Sequence, residues 1–160
     1  MSKSGSWRAF WKDYLSQLPS GHPHRDANPD AFAFGSVGAL ADELAALVLS
    51  GKKRATTSLA VEFTSVNEPL PQVGSLSIIL RGDLTPVAII ERTDVRTVLF
   101  DEVDEAYAAT EGEGDGSLLY WRAAHTEYFT GVCERLGARF DHKTPVICQI
   151  FRVVWPPSNR

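Results

Sequence analysis

The chemically suggestive part of this sequence is the segment 51–58, which places three cationic residues just before three hydroxyl residues. Within it, Lys53 precedes Thr56 by three positions. A lysine acts as a general base only where burial or neighbouring cations lower its pKa, and Lys52 and Arg54 are adjacent cations. A threonine hydroxyl needs such a base to become a nucleophile. The segment therefore predicts a catalytic lysine–threonine pair or a cationic site that holds a phosphate.

The same segment also has a purely structural interpretation. Gly51 follows an amphipathic helix and suits the left-handed position just past a helix end, where a residue without Cβ meets no steric penalty. The cations that follow would then lie beside the negative end of the helix dipole, which stabilises each by roughly a few tenths of a kcal/mol. From the residues alone, both interpretations stay open.

An acidic, glycine-rich segment over residues 111–116 is the second candidate, because three carboxylates alternate there with three glycines. It resembles the opening of a calcium loop, but Leu119 fills the ninth position and Arg122 the twelfth, which excludes an EF-hand. Hard cations bind clustered carboxylates, so a weaker Mg²⁺ or Mn²⁺ site stays open as an alternative. Its ligands would be Glu111, Glu113 and Asp115. In the structural interpretation, the last of these caps the following helix.

A third candidate lies on that following helix. Trp121 and His125 are four residues apart, so they lie one above the other on the same helical face. A histidine on an apolar stripe is most often a hydrogen-bonded core residue. Arg122 is adjacent to this pair and could reach an anion.

Composition limits the classes of function that need to be considered. The 160-residue chain has 44% hydrophobic and 22% charged residues, as a soluble globular protein does. Its net charge of −4 argues against a protein that coats nucleic acid non-specifically, although one basic pocket remains compatible with it. Cys133 and Cys148 lack metal-ligand spacing and are expected to be buried free thiols. With no signal peptide or membrane span visible, a cytoplasmic location is expected.

Apolar periodicity and breaker residues predict a mixture of helices and strands. The predicted helices cover residues 6–18, 36–50 (with residue 38 as the alternative start), 101–110 and 115–136. The predicted strands cover residues 59–63, 75–80, 86–95 and 145–155. Residues 19–36 are predicted to form a long loop. Segregated strands and helices indicate an α+β fold with an antiparallel or mixed, barrel-like sheet.

Taken in order, these pieces resemble the ASCH domain family of small proteins with a PUA-like β-barrel. The resemblance covers roughly residues 30 to 155, and its most specific parts are a helix followed by Gly-x-Lys-x-x-Thr and a Glu-Gly-Glu-Gly-Asp segment. The residues that carry it are Phe34-Gly35, Ala41-Asp42-Glu43-Leu44-Ala45, Leu47 to Thr56, Pro69-Leu70-Pro71-x-x-Gly74, Ala88-Ile89-Ile90-Glu91, Phe100-x-x-Val103, Ala108-x-x-Glu111-Gly112-Glu113-Gly114-Asp115, Trp121-x-x-x-His125 and Phe129.

The resemblance implies a PUA-like mixed or antiparallel β-barrel flanked by helices, with a basic cleft that the family links to RNA. One branch resembles single-strand ribonucleases, and other members only bind nucleic acid. A shorter branch removes the acetyl group from N4-acetylcytidine with a catalytic set that matches Lys53, Thr56 and Glu111. Arg54 departs from that branch, where a threonine is usual, and the longer chain is more similar to the nuclease-type members.

The resulting hypothesis is a single domain, in which an N-terminal helix and loop (1–30) pack on an ASCH domain (31–160). Its cleft is expected to bind single-stranded RNA, a nucleotide or a nucleoside, and to hydrolyse RNA. Deacetylation of N4-acetylcytidine and RNA binding without turnover stay open as alternatives. The resemblance makes Lys53, Thr56 and Glu111 the catalytic residues. The substrate-binding residues are expected to be Lys52, Arg54, Ser58, Trp121, Arg122 and His125, with the tryptophan stacking on a base if its face reaches the cleft. A divalent ion is an open alternative.

Overall fold

The computed structural model describes residues 4–35 and 38–157 of the chain, apart from the side chains of residues 4–6. The α-helices are α1 (Ser4–Ser16), α2 (Ala39–Leu49), α3 (Ala60–Thr64), α4 (Glu105–Glu111) and α5 (Leu118–Leu136). The strands are β1 (Asp30–Phe32), β2 (Ala55–Leu59), β3 (Leu76–Leu80), β4 (Pro86–Leu99) and β5 (Pro145–Trp155). Short 3₁₀ helices cover Pro23–Asp26 and Phe100–Glu102.

The strands form one mixed sheet in the order β1-β3-β4-β5-β2. β1 pairs with β3 in parallel, whereas β3 with β4 and β2 with β5 are antiparallel. The β2–β5 register places Thr57 opposite Cys148. The predicted α+β class with a mixed sheet is therefore confirmed.

The chain divides into two compact units. The first unit comprises residues 1–51, 74–92 and 152–160. Its buried cluster consists of Tyr14, Leu76, Ile78, Leu80 and Ile89. The aromatic face of α1 packs against this cluster, which accounts for the density of tryptophan and phenylalanine at three- and four-residue spacing in that helix. The expected single domain, with its boundary near residue 30, stays a prediction.

The histidines of the predicted loop 19–36 have partners in this first unit. The Tyr14 hydroxyl lies 2.7 Å from His24 Nδ1, and His24 Nε2 lies 2.8 Å from Glu91 Oε2. Arg152 donates two hydrogen bonds to the other oxygen of the same carboxylate, at 2.7 and 2.9 Å. These bonds attach the loop to β4 and β5.

The second unit comprises residues 52–73 and 93–151 and contains the candidate site. It holds β2, α3, α4 and α5 together with parts of β4 and β5. Its buried cluster consists of Leu59, Phe100, Val103, Ala108, Trp121, Phe129, Val132, Cys133, Val146 and Cys148. Both cysteines are free and buried, as predicted.

Some element boundaries differ from those predicted. The strand expected over 59–63 is a helix, α3, whose start is capped by the Leu59 N–H donating to Glu62 Oε2 at 2.8 Å. The strand lies earlier, over Ala55–Leu59, where alternate residues are buried. β1 falls within the predicted loop. Of the two predicted starts of α2, residue 36 lies outside the described residues, and Gly38 is the observed N-cap.

No helix in the described ranges has both the length and the apolar character needed to cross a membrane.

Candidate functional site

Lys53 lies in the short link between α2 and β2 and is almost completely buried, with 1% of its surface exposed. Its ammonium donates to the Ala55 carbonyl at 2.8 Å and lies 3.4 Å from Glu111 Oε1. The neighbouring backbone fixes this position, because the Arg54 N–H donates to the Thr110 carbonyl at the end of α4 at 2.9 Å. The lysine predicted from sequence therefore contacts the predicted carboxylate.

Glu111, the last residue of α4, is the centre of the cluster and is 2% exposed. Its Oε2 accepts hydrogen bonds from Thr57 Oγ1 at 2.9 Å and from Trp121 Nε1 at 2.5 Å. Its Oε1 lies 3.1 Å from His125 Nε2. Burial alone would raise the pKa of this carboxyl, but the Lys53 charge and the donors around it hold the pKa below its ordinary value.

Both ring nitrogens of His125 face hydrogen-bond acceptors, an arrangement that favours the imidazolium form. Its Nδ1 lies 2.8 Å from the Trp121 carbonyl, and its Nε2 faces the ionised Glu111, so both neighbours can only accept. Burial would lower the pKa of this imidazole, but the hydrogen bond and charge of Glu111 outweigh burial and raise it. The cluster thus contains two cations beside one buried carboxylate.

Glu113 is the fourth ionisable member, and its Oε2 lies 3.8 Å from Lys53 Nζ and 4.0 Å from His125 Nε2. Burial, together with the negative charge of Glu111, raises its pKa to about 7 against the opposing charge of Lys53. It is also the most exposed of the four side chains, at 19%.

The hydroxyl that contacts the carboxylate belongs to Thr57 and not to Thr56. Successive side chains of a strand point to opposite faces, and along β2 residues 55, 57 and 59 are the buried ones. Tyr107 adds a second hydroxyl here, 3.0 Å from Thr57 Oγ1, and it also donates to the Thr56 carbonyl at 2.7 Å. The predicted catalytic set of Lys53, Thr56 and Glu111 is therefore corrected: Thr57 takes the place expected for Thr56.

The remaining predicted substrate-binding residues lie outside the buried cluster. Lys52 and Arg54 are exposed on either side of the buried lysine. Ser58 is half-buried, and its Oγ accepts from Gln149 Nε2 at 3.5 Å. Arg122 donates to two backbone carbonyls near the second 3₁₀ helix, those of Asp101 and Val103, at 3.2 and 3.1 Å. Their roles in substrate binding stay predictions.

Trp121 cannot act as the predicted base-stacking platform. It is 2% exposed, and its ring is stacked between His125 at 4.2 Å and Phe100 at 5.2 Å, measured between ring centroids. Both faces of the indole are thus covered by protein. Its function in the cluster is to donate Nε1–H to Glu111 and to pack against the imidazole that the same carboxylate binds.

The described residues contain one group that could hold a metal ion: Glu111, Glu113 and His125, with ligand atoms within 4.8 Å of one another. Asp115, a predicted ligand, is instead exposed and accepts from the Ser117 N–H at 2.9 Å. The Lys53 ammonium already lies beside both glutamates, and a metal would require His125 to lose a proton. The arrangement therefore fits an ammonium better than a divalent ion.

Sequence reasoning missed Thr57 and Tyr107 and assigned Glu113 only to a metal. The signal for Thr57 was present, because alternation along the segment 55–59 groups it with Ala55 and Leu59 as the inward face. Placing the strand four residues too late concealed that signal.

Comparisons with known proteins agree with this fold. The ASCH domain family matches residues 30–155. An ASCH domain from Lactobacillus crispatus JV V101 is 35% identical in its crystal structure, with a TM-score of 0.87 and 92% of each chain covered. Protein EF3133 from Enterococcus faecalis V583 is 32% identical, with a TM-score of 0.82 and coverage of 92% of this chain and 86% of that one.

A more distant crystal structure, that of hypothetical protein PH0355, shows likeness of fold alone. It is 14% identical with a TM-score of 0.54, and the match covers 79% of this chain and all of the other. None of the curated proteins compared with the chain matches it. The chain belongs to the ASCH domain family, and its fold is of the PUA-like α+β class that the sequence predicted.

Proposed function

We propose that this protein is a hydrolase that binds single-stranded RNA or a nucleotide and acts on it through the cluster around Lys53 and Glu111. The observation that carries the proposal is the burial of an ammonium, an imidazolium and a carboxylate in contact with one another. Removing such charges from water costs several kcal/mol per ion. A protein in which well-packed apolar residues replace a buried ion pair is often equally stable. Perturbed pKa values of this kind are enriched at functional sites.

The chemistry of the surrounding surface favours an anionic substrate. Lys52 and Arg54 are exposed at the start of β2, next to the buried lysine, and can contact phosphate groups. The family is associated with nucleic acids. An overall charge of −4 means that such binding would be local to this cationic segment. A short single strand, or a nucleotide, suits a local site better than a long duplex does.

Tyr120 replaces Trp121 as the candidate for base stacking. Its ring is 44% exposed and packs over Gly114, where an added Cβ would lie 2.5 Å from the ring carbons. The glycine therefore admits the ring beside the loop that carries Glu113. Stacking of a base on an aromatic side chain contributes about 1–3 kcal/mol in single-strand sites.

A second candidate function, deacetylation of N4-acetylcytidine, is supported by the Thr57 hydroxyl on the Glu111 carboxylate. A hydroxyl beside a carboxylate and an ammonium is a set suited to acyl transfer. It resembles the amidohydrolase set of the family, displaced by one residue along β2. The cation at position 54 remains the difference from that branch.

The test is turnover of two substrates by the same preparation, with chelator and with added Mn²⁺. End-labelled single-stranded RNA and N4-acetylcytidine are incubated with wild-type protein and with a Lys53→Met/Glu111→Gln double variant, checked for folding by circular dichroism. RNA fragments made only by wild type support the ribonuclease proposal, and acetate supports the second candidate. Salt-sensitive RNA binding without any product would contradict both and leave a binding module.

A further inference from the structure

The loop that follows α4 turns one carboxylate inward between two glycines. Gly112 ends the helix with φ +70°, and a Cβ there would lie 2.1 Å from the Lys52 carbonyl oxygen. Gly114 has φ +58° and lies under the Tyr120 ring. Both positions require left-handed backbone and close approach, which only glycine satisfies at low cost. The loop thus holds Glu113 in a fixed direction, toward the buried cluster.

The side chain of Glu113 is more exposed to solvent than the other charged side chains of the cluster. The side chains of Lys53 and Glu111 are 1% and 2% exposed, and that of His125 is 10% exposed. Glu113 is 19% exposed while its Oε2 still lies within 4.0 Å of the lysine and histidine nitrogens. It therefore forms the boundary between the buried charges and any molecule bound outside them.

We propose that Glu113 is the general base that takes a proton from the substrate, and that Lys53 and Glu111 act through it as positioning residues. This inference rests on the hydrolase function proposed above. It assigns to Glu113 the role of general base that the segment 51–58 suggested for the buried lysine.

For an RNA substrate, two residues of the cluster supply both proton transfers of the cleavage step. Glu113 takes the proton of the attacking 2′-hydroxyl as the O2′–P bond forms and the P–O5′ bond breaks. The departing 5′ oxygen receives the Nε2 proton of His125, which lies 4.0 Å from Glu113 Oε2. Water then opens the 2′,3′-cyclic phosphate with both proton transfers reversed, which restores the starting protonation states.

The electrostatic surroundings suit this task. The charged groups around Glu113 are Lys53 at the start of β2, Glu111 at the end of α4 and His125 on α5. Burial and the Glu111 charge together raise the pKa of Glu113 to about 7, close to neutral pH, where a general base is most effective.

The test is the pH–rate profile of RNA cleavage for wild type, Glu113→Gln and Glu113→Asp, with Asp115→Asn as the matched control. Asp115 belongs to the same loop but is exposed, and its carboxylate contacts Ser117, two residues further along the chain. Glu113→Gln is expected to lower kcat by about 100-fold or more, with KM changed less than roughly three-fold. The rise of rate near neutral pH should disappear in that variant, return in part with aspartate and stay intact in the control.

The outcomes separate this assignment from the function on which it rests. If wild type cleaves RNA and Glu113→Gln keeps both its kcat and its rise near neutral pH, only the assignment of Glu113 is overturned. If Glu113→Gln raises KM or lowers stability without changing the shape of the profile, its role is structural and the assignment is again overturned. If wild type cleaves no RNA, the proposed ribonuclease step fails together with the assignment.

Discussion

Replacing Lys53 with methionine should destabilise the protein far more than replacing an exposed lysine. Lys53→Met keeps the length of the side chain but removes the ammonium 3.4 Å from the buried Glu111 carboxylate. Removing one partner of a buried pair typically costs about 3–5 kcal/mol. We expect a loss near 3 kcal/mol, because the imidazolium of His125 remains 3.1 Å from the same oxygen. For a chain of this size that corresponds to a fall of roughly 6–12 °C in Tm.

The pH dependence of this loss has a defined sign. In wild type the folded-state pKa of Glu111 is lowered, so the ionised carboxylate stabilises the fold above its unfolded pKa. That contribution is lost as pH falls through the folded value. In Lys53→Met burial acts without the ammonium, so the pKa of Glu111 rises and protonation relieves the unpaired charge. The difference in unfolding free energy should therefore be smaller at about pH 4.5 than at about pH 7.5.

Urea unfolding followed by tryptophan fluorescence measures this difference, with Lys143→Met as the matched control. Lys143 lies 2.7 Å from Asp101, but its side chain is 71% exposed and solvent screens the pair, so its removal should destabilise the protein much less than the removal of the Lys53 ammonium. Adding Glu111→Gln to Lys53→Met should recover part of the loss. Equal small losses for the two lysine variants, or a double variant no more stable than Lys53→Met, would refute the reasoning.

Three further expectations can be checked with the same unfolding assay. Gly112→Ala should cost more than about 3 kcal/mol because its Cβ meets a backbone carbonyl, while Gly116→Ala, with φ +78° and nothing within 4 Å, should cost only about 1–2 kcal/mol. Thr57→Val should cost about 1–3 kcal/mol by removing a donor to a buried carboxylate, whereas Thr56→Val should change stability by less than about 0.5 kcal/mol. The folded pKa of Glu113 is raised to about 7, so the stability that its protonated form contributes is present below the unfolded pKa and is lost as pH rises through 7. Glu113→Gln should therefore gain stability relative to wild type between about pH 5 and pH 8. A difference in unfolding free energy that stays constant over this range would contradict the prediction.

Much of the fold followed from local patterns in the sequence. The aromatic spacing of α1 and the long stripe of α5 correspond to buried faces in each unit. The helix α5 ends at residue 136, as predicted, and Gly137 follows it in a left-handed conformation. The N-cap of α5 was misplaced by two residues, because Asp115 and Ser117 are both good capping residues and only the structure shows that Ser117 accepts from the Tyr120 N–H at 3.0 Å.

The candidate site was predicted less completely, because its partners are distant in sequence. Lys53 and Glu111 each belonged to a suggestive segment, but only the resemblance to a family joined them, because no local pattern connects residues 58 positions apart. The assignment of Trp121 to base stacking was wrong, because a sequence does not reveal which face of a buried ring is covered. Glu113 was undervalued for a related reason: its raised pKa depends on burial beside Glu111, which requires the three-dimensional arrangement.

The most direct test of the central claim is the cleavage rate of an end-labelled single-stranded RNA by wild type and by the Lys53→Met/Glu111→Gln double variant. Both proteins are compared at equal folded concentration. The proposed chemistry predicts fragments from wild type and a rate at least about 100-fold lower from the double variant. Equal rates from the two proteins, or intact RNA with wild type, would contradict the claim that this buried cluster performs hydrolysis.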